Sequence, residues 1–280
     1  MNLKDKLKGL PTIYYTNLDH RTDRRDYMES QFDHWKINNF HRISSTKYLS
    51  SEQDKWEHLV LDSENLGYGV AAVANSVTHV EMIKNWLDTT DEEYLILMED
   101  DYDLSLIEYW NFDWEYLMNN IPQNWDCIQL GYENSEMLYF FLHPVQPLHG
   151  FGPCLINRHY AEKLVKLHYH DGYFKLNLRA NNKGINRIYG TVDGFILEGG
   201  RTYSLPLITN NPDMGSDYDI LYGTPRPWFR ECRDIYYDWW KNEHHKFSLE
   251  EFFTFGKKND TLMMKEVRHK KEFIDKAIYQ

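Results

Sequence analysis

At 280 residues and 42% hydrophobic side chains, the chain is long enough for one large α/β domain or two modest ones, and its apolar content excludes global disorder. Its 43 acidic against 31 basic residues give a formal net charge of -12, which argues against a general nucleic-acid binder, whose affinity comes from Lys and Arg neutralising phosphates. Cys127, Cys154 and Cys232 form no CxxC pair, Met1 to Gly9 lacks an apolar signal segment, and no run approaches the ~20 apolar residues of a membrane span; a soluble, cytoplasmic protein with free thiols is expected, at most working at a membrane surface.

Thr12 to Leu18 is β-branched and aromatic after Pro11 and reads as the first strand. A polar segment, Asp19 to Arg25, leads into a helix with Met28, Phe32 and Trp35 at i, i+4 and i+7, for which Thr22 is the expected N-cap. Arg21, Arg24 and Arg25 crowd its first turn, where they oppose the helix dipole. They read either as a clamp on an anionic phosphate or as a solvated face paired with Glu29. Phe40 to Ser45 reads as a second short strand, and residues 47 to 66 as a polar, weakly helical surface excursion. Gly67-Tyr68-Gly69 opens a strong helix through about Leu87, with Val73, Val77, Val80 and Leu87 on one face. Asn75, Ser76 and His79 form a polar cluster on another face, either a hydrogen-bonded buried histidine or a ligand-facing site.

Tyr94 to Met98 is a short apolar run that fits a strand buried on both faces, and it stops at three consecutive carboxylates, Glu99, Asp100 and Asp101. Open α/β sheets bind ligands at the C-terminal ends of such strands. Adjacent carboxylates repel unless a cation or proton intervenes, so a metal holding phosphates is one reading and an acidic turn the other. Trp110 to Asn120 reads as a helix, Trp125 to Gly131 as a buried strand, and residues 132 to 148 as a hairpin or long loop. Leu148 to Ile156 leads into a helix over His159 to His168, Val192 to Phe195 ends a short extended piece, and a loop runs from Pro206 to Asp219. Residues 1–223 form the main domain on this reading. Residues 224–280, with clustered Trp and Tyr, the pair His244-His245 and a basic helical end carrying Val267 and Ile274, form a C-terminal extension packed on it. Strands alternating with helices make the class α/β.

Taken in order, these segments resemble glycosyltransferase family 25, which holds lipooligosaccharide and collagen-type galactosyltransferases. Tyr15 to Arg25 resembles its opening Y-I-N-L-D-R-R-x-D-R-R, Arg42-Ile43 its R-I, and Leu95 to Asp101 its I-L-x-E-D-D. Trp125 to Gly131 matches W-D-x-x-x-L-G, Ala161 to Leu164 matches A-E-K-L, and Val192-Asp193 the later V-D. Ala74 to His79 stands where the family has G-C-x-x-S-H, but Ala74, Asn75 and Thr78 depart from it. The resemblance spans residues 12 to 217 and has no counterpart for the C-terminal extension.

The resemblance implies a GT-A-like fold, a Rossmann-type mixed sheet flanked by helices, here with a helical, aromatic-rich C-terminal extension. It implies inverting transfer of galactose or glucose from a UDP-hexose to a glycan or protein hydroxyl, with Mn2+ or Mg2+ as cofactor. On it, Asp101 is the metal ligand, and Glu99 or Asp100 holds the ribose or a metal-bound water. Thr16, Asn17 and Leu18 line the uridine pocket, Arg21, Arg24 and Arg25 are base or phosphate contacts of which at most two face in, and His79 reaches the diphosphate or sugar. Asp193 is the general base, with Glu198 and Asp217 in reserve and a turn-forming role as the alternative for Asp193. His244 and His245 are either a further pair of metal ligands or solvated. A non-catalytic nucleotide-sugar-binding protein and a metal-dependent phosphohydrolase are the competing classes. Acceptor, donor hexose and oligomeric state stay open.

Overall fold

The computed structural model describes residues 3–61, 69–134, 136–146, 150–176, 178–182, 185–189, 191–215, 217, 227–254 and 263–267. Strand β1 (Thr12–Asn17) is buried at all six positions, because β2 (Phe40–Ser44) and β3 (Tyr94–Met98) flank it in parallel and helices cover both faces. Beyond β3 the sheet continues through β6 (Cys154–Asn157), β4 (Cys127–Gln129), β7 (Thr202–Ser204) and an edge strand, β5 (His143–Pro144). β6 runs antiparallel to both β3 and β4, and β7 is parallel to β4, so the seven-stranded sheet is mixed.

Alternation along the strands sends side chains to two separate cores. Ile13, Tyr15, Ile96, Met98, Ile128 and Leu155 face one layer, built from α1 (Thr22–Trp35), α3 (Trp114–Asn120) and α5 (Pro227–Asn242). Tyr14, Leu95, Leu97, Cys127, Cys154 and Ile156 face the other, built from α2 (Val70–Thr89) and α4 (Arg158–His168). The aromatic residues of the C-terminal region serve the first core. Tyr236, Trp239 and Trp240 are buried in it, and the Trp239 ring stacks on Phe140 at 4.4 Å. Tyr236 donates to the Tyr132 carbonyl and Trp240 to that of Pro206, which satisfies the polar handles these rings carry inside.

The expected strands and helices of the N-terminal half are present, and several expectations change. Thr22 is the first helical residue of α1 and not its cap. Arg21 holds the cap position without a side-chain cap bond, and Asn17 Nδ2 donates to the Arg21 carbonyl at 3.1 Å. Residues 46–59 form the weakly helical stretch expected there, as a run of short helical turns, but it is not only a surface excursion, because it buries Tyr48 and Trp56 edge-to-face. Trp110 precedes α3, which starts only at Trp114 because Asp113 caps it by accepting from the Tyr116 amide at 2.7 Å. β6, the strand that joins the two halves of the sheet, has no counterpart in the sequence reading. Met137–Tyr139 pairs with Met264–Glu266, so the C-terminal region supplies the partner for what looked like a self-contained hairpin. Val192 to Phe195 does not end an extended piece, because Asp193–Leu197 form a wide helical turn. Thr209–Asn210 pairs with Tyr102–Asp103 and is more than loop. Gly67, Tyr68, Leu148, His149 and Ile274 lie outside the described residues.

Two glycines are required by close backbone approach. A Cβ on Gly152 would meet the Gly131 carbonyl oxygen at 1.6 Å, and one on Gly131 would meet that of Ile208 at 2.0 Å. These contacts seat the segment before β6 and the segment after β7 against the end of β4.

Candidate active site

The chain leaves β1 toward β2 on one side and returns through α2 to β3 on the other, so the C-terminal ends of β1 and β3 flank a reversal in strand order. A crevice at such a point is where open α/β sheets take ligands. A cleft opens there. β1 and its continuation contribute Thr16, Asn17 and Leu18; β3 contributes Glu99, Asp100 and Asp101; Ser45, Tyr48, Leu49 and Ser50 form one wall. One face of α2 forms another through Ala71, Ala74, Asn75 and Thr78, the i, i+3, i+4, i+7 pattern of a helix stripe, and Arg24 and Asp217 complete the lining.

The three consecutive carboxylates have three different environments. Asp100 is buried and fully engaged: Arg24 Nη1 donates to one oxygen at 2.5 Å and Asn17 Nδ2 to the other at 2.7 Å. Asn17 is in turn fixed by Arg42, whose Nε donates to its Oδ1 at 2.9 Å and which also pairs with Asp19. Asp101 keeps a looser contact with Arg24, at 3.5 Å, while its carbonyl accepts from the Asn211 amide at 2.6 Å. Glu99 accepts a hydrogen bond from the neutral Asn75 amide at 2.7 Å.

Charge counting sharpens the picture. The lining carries four carboxylates, Glu99, Asp100, Asp101 and Asp217, against one cation, Arg24. Asp217 is paired with Arg21 at 2.7 Å and Asp100 with Arg24, which leaves Glu99 and Asp101 in excess. Burial, then the Asp101 charge, raises the Glu99 pKa, with Asp100 and Asp193 adding to it and the Asn75 amide opposing. Burial likewise raises that of Asp101, against the pull of Arg24. Two neighbouring buried acids of this kind are stabilised by a proton or by a cation.

The remaining candidates fall in different places. Arg21 holds Asp23 through Nε and Nη2 at 3.0 and 2.9 Å, Asp217 through Nη1, and the Met214 carbonyl at 2.8 Å. Arg25 faces Asp26 at 4.0 Å and is not among the lining residues. His79 does not face the cleft. It is fully buried, its Nδ1 bonds the Asn75 carbonyl at 2.9 Å, its ring meets Phe151 edge-on, and burial lowers its pKa to about 4. Asp193 is outside the lining as well, on the turn beyond the strand Ile185–Tyr189, yet near enough for its charge to act on Glu99. Glu198 is exposed at the end of that turn, and His244 packs on Trp240 in the C-terminal region. Tyr48 and Thr78 line the cleft although nothing in the sequence singles them out for that role, whereas Asn75 belongs to the cluster for which a ligand-facing site is one of the two readings. The only sequence signal for Asn75 was its place in the polar cluster of α2.

No family model and no curated protein matches the chain. Solved structures similar to it include A197 from STIV, at 13% identity over 71% of this chain and 84% of that one, with a TM-score of 0.37. HddC from Yersinia pseudotuberculosis is similar at 13% identity over 83% of each chain, with a TM-score of 0.32. Its structure complexed with GMP-PN gives 11% identity over 80% of this chain and 99% of that one, at 0.31. Likenesses of that degree carry no function across. Among the described residues, no helix is long and apolar enough to cross a membrane.

Proposed function

We propose that the chain is a metal-dependent, inverting glycosyltransferase that moves a hexose from a UDP-sugar to a hydroxyl acceptor on a glycan or protein. The observation that carries this reading is the pair of excess carboxylates, Glu99 and Asp101, at the mouth of a crevice at the strand-order reversal. A nucleoside diphosphate would add further negative charge to a cleft already in excess of it, so a divalent cation would strengthen its binding. Among the described residues no group of three or more His, Cys, Asp and Glu is arranged to hold a metal alone. That donor set suits Mn2+ or Mg2+ completed by phosphate oxygens and water, because such ions take only one or two carboxylates when they also bind phosphates. Asp101 would be the principal ligand and Glu99 the second. The bound ion would supply Lewis-acid stabilisation of the charge developing on the departing diphosphate.

The chain's own groups do the rest. Thr16, Leu18, Ser45, Tyr48 and Ser50 offer small polar groups and one ring for the nucleoside. Asp100 serves first as counter-ion to Arg24, with one donor already on each of its oxygens, which leaves Glu99 the freer of the two for a ribose or metal-bound water. Asp193, whose charge acts on Glu99, would remove the proton from the attacking acceptor hydroxyl. The resemblance to family 25 and the mixed sheet agree with this reading. It is tested by UDP titration calorimetry with and without Mn2+, followed by thermal shift with UDP-galactose, UDP-glucose and UDP-GlcNAc. Asp101→Ala should abolish the Mn2+-dependent part of UDP affinity; unchanged affinity overturns the reading. Asp193→Asn should keep donor affinity and lose turnover. Tight Mn2+-dependent UDP binding in a chain that neither transfers nor hydrolyses the sugar would favour a nucleotide-sugar-binding protein instead.

A further inference from the structure

Arg21 does not line the cleft itself but pairs with Asp217, which does. Three of its nitrogens are committed. Nε and Nη2 hold Asp23 within the same turn of α1, and Nη2 also reaches the Met214 carbonyl. The remaining edge, Nη1, meets Asp217 at 2.7 Å, and Asp217 is the group that faces the cleft. The Arg21 side chain is 17% exposed and that of Asp217 41%, so the arginine is fixed and largely sheltered while the aspartate is open to water.

Beside it, Arg24 is consumed by Asp100, Asp101 and the Gly215 carbonyl. The residues that flank Asp217 on its N-terminal side are tethered independently of it. Asp213 pairs with Arg230 and Arg233 of α5, the latter at 3.1 Å, and the Asn211 amide is bonded to the Asp101 carbonyl. Exchanging the partner of Arg21 Nη1 therefore leaves those anchors in place.

We propose that Arg21 is an anion-binding residue of the cleft, and that Asp217 occupies it in the ligand-free chain as a built-in competitor. A phosphate entering the cleft replaces the Asp217 carboxylate on Nη1, which donates equally well to either oxyanion. Asp217 then turns to solvent at little cost because it is already exposed. The pairing keeps a lone guanidinium from attracting stray anions and makes the site selective for a ligand that brings more than one negative oxygen. This inference rests on the donor reading above.

The test is calorimetric titration with UDP in the presence of Mn2+, and with inorganic pyrophosphate without metal, on the full chain and on Asp217→Asn, Asp217→Ala and Arg21→Met. Removing a partly exposed competing charge should tighten both ligands by roughly two- to five-fold in either Asp217 variant, and more at low salt than at high salt. Arg21→Met should weaken both and abolish the difference made by Asp217. Asp217→Asn that binds UDP with Mn2+ more weakly than the parent makes Asp217 a ligand and overturns the inference, as does an affinity unchanged in both Asp217 variants. A parent chain that binds neither probe overturns the donor reading and this one with it. A circular-dichroism melt of each variant separates lost folding from lost binding.

Discussion

Replacing Arg24 with Met tests the claim that one of the three consecutive carboxylates is structural. The substitution keeps the apolar stem and removes a guanidinium whose side chain is 8% exposed and lies 2.5 Å from an Asp100 that is equally sheltered. Asp100 is left with the Asn17 amide alone, and Asp101 loses its only cation within 4 Å among the described residues. Removing one partner of a buried pair costs about 3–5 kcal/mol, since the other charge stays inside without compensation. Against a typical domain stability of about 5–15 kcal/mol, that is a large fraction. Equilibrium urea unfolding followed by tryptophan fluorescence measures it. The double variant Arg24→Met, Asp100→Asn should recover at least about 2 kcal/mol of the loss, because the orphaned charge is gone while the carbonyl still accepts from Asn17. A single-variant cost below about 1 kcal/mol, or strictly additive costs in the double variant, would refute the ion-pair assignment.

Trp239→Ala should cost about 3–5 kcal/mol by the same assay, because the ring is buried among Phe140, Trp240 and Phe252 and its removal leaves a cavity there. Gly152→Ala should destabilise at or above the top of the roughly 1–3 kcal/mol range for overpacking, since backbone and not a flexible side chain blocks the new methyl; a variant with a parental urea midpoint would contradict the close approach. Stability should also depend on pH through His79, His143 and His168, which burial holds at pKa values of about 4. The unfolded chain takes up these protons first as pH falls below ~6.5, so each histidine should withdraw about 1–2 kcal/mol between pH 7 and pH 5. Glu99 and Asp101 act in the opposite sense: with raised pKa values, their contribution is present at low pH and lost as pH rises through them. Comparing His79→Gln with the parent at both pH values isolates one histidine, and an equal loss in the two proteins would count against its burial as the cause.

The parts of the fold that announced themselves did so through short-range patterns. Tyr94–Met98 is a strand with the expected bounds because five apolar residues end at charges. Helix α2 declared itself through the valines of its stripe, and the acidic triplet lies at the cleft because of where its strand ends. The failures were of longer range. Cys154–Asn157 was read as a lead-in to a helix, since four residues after Gly152 and Pro153 carry little periodic signal and their partners are 57 and 27 residues or so away. Asp100 looked equivalent to its neighbours, and only Arg24 and Asn17, far from it in sequence, make it different. Of the two readings open for the polar cluster of α2, His79 takes the buried, hydrogen-bonded one and Asn75 the cleft-facing one, because the two project to different sides of the helix, one to the core and one to Glu99.

The core shared by the first strands and helix α5 has a consequence for biosynthesis. Ile13, Tyr15 and Phe32 belong to one cluster with Tyr236, Trp239 and Phe252, so the layer begun by the earliest residues is completed by some of the last. At ~5–20 residues per second of translation, the emerging chain spends on the order of ten seconds or more with that apolar layer uncovered. The folding step that seals it must follow synthesis of α5, and it makes the nascent chain a natural client for chaperones that shield aromatic surface.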